Sequence, residues 1–270
     1  MHMANLCLKE DGLAKVLEGK NAIVTAGASG IGAVVARTLA AEGAAVAICD
    51  IDRAALQAFE AEHPTIAGFH CDVAEPDAVA QFVSNALDAL GSVDMLVNNA
   101  GTAGPTALAE DIAPADWDAT VSVNLSSQFY LARLIIPHLK AQGGGAIVNM
   151  SSAAGRLGLP MRAPYVAAKW GVVGLTQTLA MELGAHDIRV NAILPGAVKG
   201  ARMDRVLSDK ALTLGLELEA VAADEIKNVS MKRMIEPQEV ADLIVFICSD
   251  KGRSISGQSL GVCGNLETLR

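Results

Sequence analysis

AIVTAGASGIGAVVARTLAAEG, residues 22–43, decides the fold. AIVT (22–25) is a short apolar run of the kind that forms a buried strand. AGASGIG (26–32) follows as a glycine-rich turn, and VVARTLAAEG as an alanine-rich helix. A glycine turn between a strand and a helix lets backbone N–H groups approach a pyrophosphate, and the helix N-terminus adds partial positive charge. Glycines also serve plain turns, so the cluster alone is a weak signal; its strand–turn–helix setting favours a nucleotide. Gly27, Ala28, Ser29, Gly30, Ile31 and Gly32 are therefore the expected phosphate-side residues.

The pattern continues outward. AAVAICD (44–50) is a second strand ending in Asp50, eighteen residues after Gly32. An acidic side chain there can accept bonds from an adenosine ribose and would repel a 2′-phosphate, which predicts NAD rather than NADP. The competing role of helix N-cap falls to Asp52, which precedes RAALQAFEAE. IAGFH (66–70) is a third strand, leading into Asp72 and Val73, and Pro76 opens the next helix. SVDMLVNNAG (92–101) is the fourth; Asn98 and Asn99 are turn formers or ligand contacts at its end. A long helix is expected from about Asp116 to Lys140, with Asn124 inside it needing a partner for its amide. AIVNM (146–150), DIRVNAIL (187–194) and QSLGV (258–262) complete seven strands. Strands alternating with helices predict a parallel, doubly wound α/β sheet. We expect residues 1–18 to be a loosely held lead-in and residues 19–270 a single dinucleotide-binding catalytic domain. The one irregular region, about 199–233, is expected to be a substrate loop or lid.

Composition limits the function. A chain of 270 residues, 51% apolar, can bury one sizeable core. Thirty acidic against 21 basic residues argue against nucleic acid or an anionic membrane as partner. The five cysteines have no paired spacing; four lie in apolar runs and read as buried free thiols, which fits a cytoplasmic setting. No apolar run approaches the ~20 residues of a membrane span, and no secretory leader is expected. The five histidines form no ligand-spaced cluster, so no metal is expected.

SAAGRLGLPMRAPYVAAK (152–169) carries the chemistry. Tyr165 and Lys169 are four apart at the start of a helical run and share one face. A neighbouring ammonium favours a phenolate, and such a tyrosine can take a proton from an alcohol or return it to a ketone. Ser152 follows a strand and can hydrogen-bond the reacting oxygen. Trp170 is read as packing rather than as a stacking plate. The helix after Tyr165 is apolar on nearly all sides, so a partner subunit is expected to cover part of it.

TAGASGIG, Asp72-Val73, NNAG, Asn124, Ser152, YVAAK, PGAV and ISGQSLGVCG together resemble the short-chain dehydrogenase/reductase family, from about residue 19 to the end. The resemblance implies a single-domain, Rossmann-like, doubly wound seven-stranded parallel sheet with helices on both faces and a nicotinamide nucleotide across its carboxyl edge. It implies that Tyr165 is the acid/base and that Lys169 lowers its pKa while holding the nicotinamide ribose. Ser152 would orient the substrate oxygen, and Asn124 would support a water in a proton path. Asp72 and Val73 would flank the adenine, Asn99 the ribose region, and Val198 would offer backbone to the carboxamide. It also implies a homo-oligomer, a dimer or tetramer. Three departures bear on cofactor affinity: Ala26 stands at the family's first glycine, Gly200 where a threonine is common, and Cys263 where an aspartate is usual.

The expected activity is NAD-dependent interconversion of a secondary alcohol and its ketone. The alternatives are an NAD(P)H-dependent carbonyl or 3-oxoacyl thioester reductase, and a non-catalytic nucleotide-binding scaffold. Aromatics are only 3% of the chain, so a flat polycyclic substrate is poorly served. A small polar substrate, a polyol, sugar or hydroxy acid, is expected, with Arg202 or Arg156 as anchor if it is anionic. Solvated surface charge is the competing reading of both arginines.

Overall fold

In the computed structural model, residues 15–266 are described. Seven strands form one sheet in the order β3-β2-β1-β4-β5-β6-β7, every neighbouring pair parallel. They are β1 Asn21–Thr25, β2 Ala45–Asp50, β3 Ala67–His70, β4 Met95–Asn98, β5 Gly145–Met150, β6 Ile188–Pro195 and β7 Ser259–Val262. The expected seven-stranded sheet is therefore present. Alternate residues of each strand feed opposite layers: Ala22 and Val24 join one core while Ile23 joins the other. Helices α1 (Gly30–Ala41), α2 (Arg53–Glu62) and α9 (Pro237–Cys248) cover the first face. Helices α3 (Pro76–Leu90), α5 (Ser127–Gln142) and α6 (Ala163–Leu183) cover the second. Burial on both sides explains why the strands are continuous apolar runs; each fully buried Ile or Val contributes about 1.5–3 kcal/mol.

Local sequence sets the helix starts. Asp52 caps α2, its Oδ1 accepting from the N–H groups of Ala54 and Ala55 at 2.9 and 3.0 Å. Proline begins α3 and α9. Chain order reverses between β1 and β4, where the connections leave toward opposite faces and a crevice opens at the strands' carboxyl ends.

Three expectations need correction. The segment 199–233 is not a plain loop: it holds α7 (Ala201–Leu214) and α8 (Leu218–Lys227), joined through left-handed Gly215 and sharing a small core of Leu207, Ala211 and Val221. Its two ends are both fastened to the first turn of α9, through Lys199 with Glu236 and Arg233 with Glu239. The helix around Asn124 is not continuous: α4 (Pro114–Val121) and α5 flank one wide π-type turn, Ser122–Ser126. Trp170, read as packing, is only half covered by the described residues and is 51% exposed. Phe129 and Met181 share this exposure.

Within the stretch read as lead-in, Leu17 is buried and its N–H bonds the carbonyl of Glu42, while residues 1–14 lie outside the described chain. Cys49 and Cys71 are buried and free, Cys248 and Cys263 partly buried and free; Cys7 lies outside the described residues. Among the described residues no helix is long and apolar enough to cross a membrane.

Candidate active site

The glycine turn sits at the mouth of the crevice. Gly30 has φ +53°, which favours glycine, and Gly32 has no room for a side chain, since a Cβ there would lie 1.9 Å from the Ala26 carbonyl oxygen. The first helical bond of α1 runs from the Ala33 N–H to Ser29 O, so the N–H groups of Gly30, Ile31 and Gly32 are left for an outside acceptor. No acidic residue stands in that first turn to repel an anion, and Ser29 makes no side-chain cap. Asp50 is buried at the end of β2 and leans onto the turn: its Oδ2 accepts from Ala28 N at 3.1 Å and its Oδ1 from Asp52 N at 3.1 Å. Asp72 closes its own turn by accepting from Ala74 N at 2.9 Å, with Val73 buried beside it.

Asn99 turns its side-chain amide onto the glycine turn. Its Nδ2 donates to the carbonyls of Thr25 and Ala26 at 3.0 and 3.2 Å, so its amide nitrogen braces the glycine turn. Thr25 Oγ1 in turn accepts from the N–H groups of Asn99 and Ala100, both at 2.9 Å. Val198 forms a parallel bridge with Ile235 through the Ala197 carbonyl and the Lys199 N–H. That geometry turns Val198's own N–H and C=O the other way, a donor and an acceptor side by side.

Across the crevice, Tyr165 lies in the first turn of α6 and Lys169 one turn on. Lys169 is 2% exposed; its Nζ donates to Met150 O at 2.8 Å and lies 5.7 Å from the Tyr165 ring centroid. Burial, and then the positive charge of Arg202, hold its pKa down to about 7. Ser151 Oγ donates to the Lys169 carbonyl at 2.8 Å and so fastens β5 to α6. Ser152 caps the short turn after β5, its Oγ accepting from Ala154 N at 3.2 Å.

Asn124 is fully buried in the π-type turn, and its Nδ2 donates to Thr120 O at 2.9 Å and Thr102 O at 3.1 Å. Its main-chain carbonyl accepts from Gln128 Nε2 at 3.0 Å, while its Oδ1 is buried without a partner. Gln128 also donates to Met150 O at 3.2 Å, the acceptor used by Lys169. Sequence reasoning passed over Gln128, although a glutamine one turn after Asn124 among apolar residues is a detectable signal.

The two arginines named as anchors part company. The Arg156 guanidinium bonds the carbonyl of Ser259 on the edge strand and is engaged there, whereas Arg202 reaches into the site. Arg162 lies over Tyr165 with its Cζ 5.1 Å from the ring centroid.

A family model described as enoyl-(acyl carrier protein) reductase matches residues 25–265. The chain is 35% identical over 254 residues to a 3-oxoacyl-(acyl-carrier-protein) reductase of Thermotoga maritima, covering 93% of this chain and 98% of that one. It is 33% identical over 252 residues to a D-β-hydroxybutyrate dehydrogenase of Rhizobium meliloti, covering 91% and 97%. An NAD+-bound xylitol dehydrogenase superposes with a TM-score of 0.88 at 30% identity, covering 92% and 99%. Fold, crevice and relatives together define an oxidoreductase that uses a nicotinamide nucleotide to interconvert alcohols and ketones. The chain belongs to the short-chain dehydrogenase/reductase family.

Proposed function

We propose that the protein is an NAD-dependent dehydrogenase that oxidises the secondary alcohol of a small polar substrate, reversibly, with Tyr165 as acid/base. The observation that supports this reading is Lys169 Nζ 5.7 Å from the Tyr165 ring and beside Asn124 Oδ1 at Gly101, with Ser152 following β5, opposite a glycine turn guarded by Asp50. The residues present fit the cofactor: open N–H groups begin α1, Gly32 keeps the turn clear, and Val198 presents a backbone donor and acceptor. When bound, NAD supplies the hydride acceptor.

The protein's own residues do the rest. Ser152 hydrogen-bonds the substrate hydroxyl and fixes its orientation. Tyr165, as phenolate, takes the hydroxyl proton as the carbonyl forms, and returns it in the reverse direction. Lys169 in its charged form favours the phenolate and holds the nicotinamide ribose. Asn124 holds a water through its open Oδ1, since its main-chain carbonyl is engaged by Gln128. Asp50 accepts from the adenosine ribose and disfavours a 2′-phosphate in its place. Asp72 and Val73 border the adenine, and the α7–α8 lid covers the substrate.

The relatives span hydroxybutyrate, threitol and xylitol dehydrogenases as well as ketoacyl reductases, which supports alcohol–ketone chemistry on small polar substrates. The reductase reading, favoured by the Thermotoga maritima relative, normally goes with NADPH, and Asp50 stands against it. The exposed Phe129, Trp170 and Met181 support a dimer or tetramer, and we place the enzyme in the cytoplasm. The test is kcat/KM with NAD and with NADP over a panel of polyols, sugars and hydroxy acids. NAD should lead by at least ~10-fold and Asp50→Ala should narrow the gap, as loss of a charged acceptor costs about 1.5–3 kcal/mol. Equal values for the two cofactors would refute it.

A further inference from the structure

Resting on the proposed dehydrogenase reading, a narrower statement about the substrate follows from two arginines. Arg162 stands at the N-cap of α6, three residues before Tyr165. Its Nη2 donates to Ala103 O at 2.8 Å, its Nη1 to Thr106 Oγ1 at 3.5 Å, and its Nε is buried without a partner. Arg202 reaches in from the first turn of α7. At the floor of the site is Gly101, where a Cβ would lie 3.6 Å from Arg202 Nη1, 3.6 Å from Lys169 Nζ and 2.9 Å from the unpartnered Asn124 Oδ1. Arg202, Lys169 and Asn124 thus converge on one small space, with Arg162 over the adjoining tyrosine.

Among the described residues, Arg162, Arg202 and Lys169 make no ion pair with any carboxylate. In a chain of net charge −9, three cations around one tyrosine are a local excess of positive charge. They also disfavour one another: burial and then Arg202 depress Lys169, and burial with Arg202 depresses Arg162 against the upward pull of Tyr165, Glu225 and Asp209. An anion among them would relieve both effects. A neutral polyol or sugar would not.

We propose that Arg162 and Arg202 clamp a carboxylate of the substrate, so that the alcohol oxidised is that of a hydroxy acid. Guanidinium groups match carboxylates in paired, planar hydrogen bonds, which fixes direction as well as charge. Arg162 is the fixed jaw, held by the Ala103 carbonyl; Arg202 is the jaw carried by the lid. The carboxylate thereby holds the carbinol carbon beside Tyr165 and draws the lid over it. The other anion at hand is the cofactor's diphosphate, and the test separates the two.

The experiment compares secondary-alcohol acids with their primary amides at saturating NAD, in wild type, Arg162→Leu, Arg202→Leu and, as a control for lid charge, the exposed Arg205→Leu. Acids should exceed amides by about 100-fold in kcat/KM, since bonds to charged groups are the strong class. Either clamp variant should raise KM for the acid at least ~10-fold, shrink the acid-over-amide preference by a similar factor and keep NADH affinity by calorimetry. Arg205→Leu should match wild type. Independently of turnover, malonate titrated into the enzyme–NADH complex should bind, bind at least ~10-fold more weakly to each clamp variant, and outbind malonamide. Equal use of acid and amide, or absence of malonate binding, overturns the proposal. Equal loss of NADH and malonate affinity in Arg202→Leu reassigns the anion to the diphosphate and also overturns it. If malonate binds through both arginines but no alcohol is oxidised with NAD, the clamp stands and the dehydrogenase reading fails.

Discussion

Lys169→Met exchanges the buried ammonium stem for an apolar one of similar length, and its effect on stability can be worked out. The folded protein lowers the Lys169 pKa from its ordinary 10.5 to about 7, chiefly by burial and secondarily through Arg202. A lowered lysine pKa means that the unfolded chain holds the proton more tightly, so stability rises with pH across the window between the two values. At about 1.4 kcal/mol per unit, the charged form destabilises the native state by about 5 kcal/mol below pH ~7, and this fades as pH approaches ~10.5. The substitution also removes the Nζ bond to Met150 O, worth about 1 kcal/mol net. Urea unfolding of both proteins should therefore show Lys169→Met the more stable near about pH 6. Its advantage should shrink by about 3 kcal/mol near about pH 9. Titrations of groups remote from Lys169 cancel in the difference. A wild-type-minus-mutant difference that is flat with pH, or that grows with alkalinity, would refute a desolvated Lys169.

Arg202→Leu removes the second cause of that depression, so the lower edge of the Lys169 pH window should rise while the upper edge stays; the same unfolding pair, repeated in this background, reads the shift, and an unmoved edge sinks the contact. Ala26 has φ +49°, a left-handed conformation that strains a Cβ. Ala26→Gly should stabilise the protein by about 0.5–1 kcal/mol after the greater chain entropy of glycine is counted, and a loss of stability would show the methyl to be packing usefully.

The sheet could be read from the chain because its signals are local. Short apolar runs such as AIVT and AIVNM alternate with helices whose starts carry their own marks, Asp52 for α2 and Pro76 for α3. The Tyr165–Lys169 pair was legible for the same reason, being one helical turn apart. What escaped depends on side-chain direction. Arg156 and Arg162 lie in the same stretch, yet Arg156 bonds Ser259, 103 residues on, while Arg162 turns over Tyr165. Asn99 also ties its strand end to Thr25, 74 residues earlier, a contact with no local signal in the sequence. The lid helices were obscured by the many charges and the Gly215 break between them. Met203, Leu207, Ala211 and Leu214 nonetheless recur at helical spacing. The π-type turn at Asn124 has no sequence period of its own; its cause, an amide taking the Thr120 carbonyl, shows only in three dimensions.

Single-turnover oxidation by Tyr165→Phe tests the central claim most directly. Phenylalanine keeps the ring beneath Arg162 and removes only the hydroxyl. The account predicts that NADH formation falls by about 10²–10⁴-fold while calorimetric affinity for NADH is unchanged. A variant that binds NADH normally and retains most of the wild-type rate would contradict it.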